Sequence, residues 1–224
     1  MSKDLSEMEA IDNQVLLTRK SLSRRGFLAA GGVTGIALVA TACSSNDDEA
    51  TTTTTAKASS VGDAKTAAVA ASLEVLAVNT YKAGLDAATA GKLGAVPPAV
   101  ATFAKTAMEH HKAALEKWNS VLTSGGGQAV SAPPDDLKAT VDTAFAGVKD
   151  VVGLAKLALL LEQTAADTYL KALPTLASKD AITLAGALQS VDQEHSAILL
   201  YVIGEYPVPE VFQKGAKAYS PKAA

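Results

Sequence analysis

A nine-residue stretch, Leu73-Glu74-Val75-Leu76-Ala77-Val78-Asn79-Thr80-Tyr81, returns 88 residues later as Leu161-Glu162-Gln163-Thr164-Ala165-Ala166-Asp167-Thr168-Tyr169. Leu, Glu, Ala, Thr and Tyr agree at matching places, and Leu85 and Leu173 extend the match. In each copy a Tyr follows the Glu by seven residues. That is about two helical turns, so both side chains share one helix face. The rest of that face is apolar or small: Ala77, Val78 and Leu85 in the first copy, Ala165, Ala166 and Leu173 in the second. A carboxylate on a stripe destined for burial has to be paired, protonated or bound to a metal, because an unpaired charge there is costly. Any fold for this chain must accommodate that acid twice. For Glu162, which follows Leu159-Leu160-Leu161, burial is the stronger expectation. Ser72 and Asn79 leave Glu74 a more polar neighbourhood and keep open a solvated position at the edge of the stripe.

The N-terminus reads as an address rather than as fold. Ser23-Arg24-Arg25-Gly26-Phe27-Leu28 resembles the twin-arginine export motif, and residues 26–42 follow as an uncharged run rich in Gly and Ala. A span so short suits a signal core better than a transmembrane helix. Ala40-Thr41-Ala42-Cys43 resembles a lipobox, with Cys43 as the lipidated residue, although Ala40 stands where the pattern favours Leu. The resemblance implies export with lipid anchoring on the outer face of the cytoplasmic membrane, or secretion if Cys43 is not lipidated. Residues 1–42 are thus expected as signal peptide, and 43–61, with five consecutive Thr, as a flexible tether. Residues 62–206 are expected as the folded domain and 207–224 as a Pro-containing tail. Every Arg falls in the signal, and beyond residue 42 there are 15 Lys against 19 Asp and Glu. A mildly acidic domain without Arg excludes nucleic acid as the expected partner. Cys43 is the only Cys, so no internal disulfide forms.

Apolar spacing of three and four, low aromatic content and abundant Ala predict an all-α fold. Helices are expected over about 63–90, 98–122, 150–173 and 180–204. Gly62-Asp63 gives a cap-like start to the first, and Gly91, Gly94, Pro97-Pro98, Gly125-Gly126-Gly127, Pro133-Pro134, Pro174 and Pro207 mark the breaks. Residues 135–147 read as part of a long crossover or as the start of the third helix. The tail is expected to pack across one end. Short loops within each pair and a long connection between pairs describe a four-helix bundle with one crossover.

The second and fourth helices carry every His in the chain: Met108-Glu109-His110-His111 and Asp192-Gln193-Glu194-His195. Aligning His111 with His195 also matches Ala113 to Ala197 and Leu115 to Leu199, and sets Met108 opposite Asp192. Across residues 63 to about 204 the arrangement resembles the ferritin-like superfamily, whose di-metal members take a Glu from one helix of each pair and a Glu-x-x-His from the other. That resemblance implies Glu74 and Glu162 as terminal carboxylates, His111 and His195 as imidazole ligands, and Asp192 in place of one bridging Glu. Met108 occupies the other bridging position, and a thioether is a poor ligand for hard iron. Glu109 lies about 100° around the helix from that position.

The implied function is an exported, membrane-tethered metal-binding protein with iron or manganese, one or two ions or none, and redox chemistry inside the bundle. The alternative is a non-catalytic bundle with a vestigial site, its acids paired with His, serving as an envelope interaction lipoprotein. His110 and Glu194 read as exposed, with His110 an alternative ligand. Tyr81 and Tyr169 read as core residues with hydroxyl partners, and Trp118 as packing. A catalytic residue is not assigned, and there is no Gly-x-Ser-x-Gly to support a hydrolase.

Overall fold

The computed structural model describes residues 51–221. Arg24, Arg25, Cys43 and the first part of the expected tether lie outside the described residues. The regular elements among the described residues are all helices, with no strand among them. Helix α1 spans Thr51–Thr89, α2 Pro98–Ser124, α3 Asp135–Ala146, α4 Val151–Ala172 and α5 Lys179–Val202, and a 3-10 turn at Leu173–Thr175 joins α4 to the loop before α5. α1 packs on α2 and α4 on α5; α1 also meets α4, and α2 meets α5. This is the expected bundle of two pairs, and the long connection between them carries α3, a separate helix that rests on α4. No helix among the described residues is long and apolar enough to cross a membrane.

Local chemistry sets most of the boundaries. Pro98 opens α2 where a missing N–H is harmless. Asp150 caps α4 by accepting from Gly153 N at 2.7 Å, and Ser178 caps α5 by accepting from Ala181 N. Past the end of α2, Gly126 takes φ +80°, a conformation that favours glycine, and Gly127 N donates to Leu122 O at 2.9 Å. Small residues (Ala67, Ala70, Ala71, Ala107, Ala181 and Ala185) are buried at the helix contacts and let the helices approach closely.

Two segments depart from the sequence expectation. α1 starts at Thr51 rather than near Asp63, so the helix runs through the Thr segment expected to be tether. Once the packed part of α1 is helical, each added residue gains a hydrogen bond without a new nucleation cost. Asp63 therefore caps no start of its own helix. It is buried, and its two oxygens accept from Ala177 N at 2.9 Å and Ser178 N at 2.7 Å, pinning α1 to the start of α5. The tail, in turn, runs along the flank of α4 instead of across one end. Lys217 N donates to Asp167 and Tyr219 N to Thr168, both at 2.8 Å, and Tyr219 Oη reaches Asp136 of α3 at 2.9 Å.

Asp63→Ala leaves two backbone donors without their partner in a partly buried place. It is expected to lower stability by about 1–3 kcal/mol, read as a drop in thermal midpoint with unchanged helical content.

Candidate metal centre

The duplicated acids are both buried at mid-bundle, Glu74 and Glu162 each 1% exposed. His111, Asp192 and His195 are buried beside them. Asp192 and His195 stand three residues apart on α5, which turns both inward. A ligand atom from each of His111, Glu162, Asp192 and His195 lies within 4.8 Å of the others. Two carboxylates and two imidazoles form a donor set able to hold a divalent metal ion.

The two halves of the chain are interlocked. His111 Nδ1 meets Glu74 Oε2 at 2.7 Å, and its counterpart His195 Nδ1 meets Glu162 Oε2 at 3.2 Å. Each tyrosine crosses to the acid of the other copy: Tyr81 Oη donates to Glu162 Oε1 at 2.5 Å, and Tyr169 Oη donates to Glu74. The symmetry breaks at the remaining nitrogens. His111 Nε2 turns to Glu162 Oε1 at 3.1 Å, whereas His195 Nε2 meets His110 Nδ1 at 3.0 Å. Trp118 Nε1 donates to Tyr169 Oη at 2.9 Å. A continuous hydrogen-bonded chain thus runs Trp118–Tyr169–Glu74–His111–Glu162–His195–His110, from the fully buried indole to an exposed imidazole.

The proton distribution follows from these contacts. Burial works against a charged His111, but the facing carboxylates of Glu162 and Glu74 overcome it and hold its pKa well above 6.5. With a carboxylate at each nitrogen, the ring is an imidazolium donating twice. Burial also opposes charge on Glu162, yet His111 and His195 hold it down at about 2. Asp192 goes the other way: burial, then the neighbouring Glu74 and Glu162 charges, raise it well above 3.8. Burial and the adjacent acids raise Tyr81 and Tyr169 well above 10.0, so both remain hydroxyl donors.

Asp192 Oδ2 and Ser196 Oγ, one turn apart on α5, are buried without a hydrogen-bond partner among the described residues. A buried polar atom left unpaired is unfavourable. Asp192 belongs to the four-donor group, and a metal ion held by its carboxylate would give that buried group a partner.

Of the five ligands expected from sequence, four come together, and Glu74 lies outside that group on the far side of the His111 ring. A carboxylate behind a ligating imidazole fixes its orientation and raises its basicity. Met108 packs in an apolar cluster with Tyr81, Ala107 and Leu159 and offers no oxygen to the centre. Glu109 is exposed and pairs with Lys112 at 2.7 Å. His110 is exposed, as expected, but its contact with His195 was not legible in sequence. Trp118, expected as packing alone, also donates a hydrogen bond.

A family model for the ferritin-like domain matches residues 62–205. Comparisons with curated proteins and with solved structures returned no match.

Three titrations set the pH dependence of the metal-free protein. His111 binds its proton more tightly when folded, so its contribution is complete below about 6.5 and drains as pH rises. Glu162 contributes above its unfolded value near 4.5 and loses that contribution as pH falls towards about 2. Asp192, which folds neutral, costs stability as pH rises above 3.8. The metal-free thermal midpoint is therefore expected to peak at about pH 4 to 4.5, where the gain from Glu162 is nearly complete and the cost from Asp192 is only beginning, and to fall from there towards pH 8 as first Asp192 and then His111 work against the fold, measured by circular dichroism in the presence of a chelator.

Proposed function

The chain belongs to the ferritin-like domain family, and from that premise we propose that it is an exported, membrane-tethered metal-binding protein holding one iron or manganese ion at His111, Glu162, Asp192 and His195. The observation that carries this reading is the buried four-donor group, one of whose members, Asp192, has a buried oxygen without a hydrogen-bond partner among the described residues. Such an ion supplies one-electron redox chemistry, and anionic oxygen ligands favour its higher oxidation state.

The chain's own residues prepare the place. Glu74 holds the His111 ring from behind through Nδ1 and leaves Nε2 towards the centre. Tyr81 fixes one Glu162 oxygen. Glu74, Glu162, His111, Asp192 and His195 are all buried, which keeps bulk water from the centre. In the metal-free state the Nε2 proton of His111 and the carboxyl proton of Asp192 occupy the donor atoms, and binding has to release them. Export and tethering rest on Arg24, Arg25 and Cys43 in the sequence. Two or three lipid chains on Cys43 would anchor the domain firmly, whereas a single chain would hold it marginally.

One observation favours the non-catalytic alternative: the same hydrogen bonds satisfy Glu74, Glu162 and His111 without metal. Elemental analysis after anaerobic Fe(II) loading, and Mn(II) in parallel, separates the two. The expected result is one ion per full-length chain, lost in Glu162→Ala and in His195→Ala while helical content persists. A folded protein that retains no metal would establish the vestigial reading instead. For export, Arg24→Lys with Arg25→Lys is expected to leave the protein in the cytoplasm, read by cell fractionation; normal export of that variant would sink the twin-arginine assignment.

A further inference from the structure

The two imidazoles of the centre have different outer partners. His111 meets buried acids through both nitrogens. His195 faces Glu162 Oε2 through Nδ1 at 3.2 Å, and through Nε2 it faces Nδ1 of His110 at 3.0 Å. His110 is exposed on α2. Its ring plane lies 12° from that of His195, with centroids 5.2 Å apart. That separation is about the nitrogen contact plus the two ring radii, so the rings meet end to end rather than face to face. The contact has the in-line geometry of a hydrogen bond. It does not suit a shared ion, because metal–nitrogen bonds of about 2.0–2.1 Å would need roughly 4 Å between nitrogens facing each other along one line. His110, an alternative ligand on the sequence alone, is placed to hold a ligand and not to be one.

Packing holds the rest of the His195 ring. Phe103 meets it edge-on with centroids 5.7 Å apart, and His111 lies at 5.5 Å with the planes 64° apart. Neither contact distinguishes a ring nitrogen from a ring carbon. Both would survive a half-turn of the ring about its Cβ–Cγ bond, which would carry Nδ1 away from Glu162. The end contacts to Glu162 and His110 are what select the orientation seen. An ion held by Nδ1 takes that nitrogen's lone pair, so the ring proton then has to sit on Nε2. There it needs an acceptor, and the atom in line with it is His110 Nδ1.

We propose that His110 is a positioning residue for the metal centre: its Nδ1 accepts from His195 Nε2 and holds that ring with Nδ1 turned to the buried donors. This role rests on the metal-binding reading above. It gives His195 the support that Glu74 gives His111, from an exposed imidazole on α2 instead of a buried carboxylate on α1. The proton of His110 itself is then on Nε2. His110 touches no ion, and its removal leaves all four donors in place.

Zn(II) is the probe, a diamagnetic ion that takes nitrogen and oxygen ligands. It is titrated into the full chain against a chromophoric chelator. His110→Leu removes the acceptor, and His110→Asn restores an acceptor oxygen near the place of Nδ1. One Zn(II) per chain is expected in the parent and in both variants. Affinity should fall about tenfold in His110→Leu, at the low end of what loss of such an outer partner costs, and His110→Asn should recover most of it. Because the residue is exposed, the metal-free thermal midpoint should stay the same in all three. In the Zn(II)-loaded parent, nitrogen-15 NMR of the imidazoles should show the His195 proton on Nε2, coupled through the hydrogen bond to His110 Nδ1. Unchanged affinity in His110→Leu, no recovery in His110→Asn, or a His195 Nε2 without a proton would overturn the positioning role and leave the metal centre standing. A parent chain that binds neither Zn(II), Fe(II) nor Mn(II) would instead remove the metal reading, and this role with it.

Discussion

The His111 imidazolium, held between Glu74 and Glu162, is the interaction on which the centre of the bundle depends. It joins α2 to α1 through one nitrogen and to α4 through the other. Neither acid has water to solvate it, and without a cation between them their repulsion would oppose the packing of α1 on α4. The tyrosines then tighten the same junction from above and below, each bonded to the acid of the opposite copy. The hydrophobic packing of Ala and Leu drives the helices together, while this polar chain sets which residues face each other at mid-height.

The duplication explains the arrangement and also its imbalance. Two equivalent Glu…Tyr helices and two His-bearing helices would place equivalent donors about a pseudo-twofold axis. Met108 breaks that equivalence by packing among apolar side chains where Asp192 has its counterpart. His111 answers the missing oxygen by turning its second nitrogen to Glu162, and Asp192 is left with an oxygen that no protein group satisfies. The donors consequently gather on the Glu162 side, with Glu74 supporting His111 from behind. A single ion fits that asymmetry better than a symmetric pair does.

Much of this was legible in the sequence, because helix pairs and buried acids leave periodic traces. Glu74, His111, Glu162, Asp192 and His195 all occupy inward positions, as their spacing requires. Which nitrogen of His111 faces which acid is a rotamer property, so the retreat of Glu74 behind the ring left no trace in spacing. The same holds for His110, exposed yet touching His195. Asp63 had the right chemistry for a cap but served α5 rather than its own helix, since capping from across the bundle depends on tertiary contacts. The tail was misplaced because its attachments are single hydrogen bonds from Lys217 and Tyr219 to α4, which impose no pattern. The start of α1 was set too late because a Thr run lacks an apolar stripe, although an existing helix can propagate through it.

The central claim is that a metal ion takes the place of protons held by His111 and Asp192. Calorimetric titration of the full chain with Fe(II) or Mn(II), repeated near neutral pH in buffers of different ionisation enthalpy, counts the protons released per ion. The account predicts release of about two protons per bound ion, because those ligands must be deprotonated to bind. Stoichiometric binding with no proton release would contradict it, placing the ion away from His111 and Asp192.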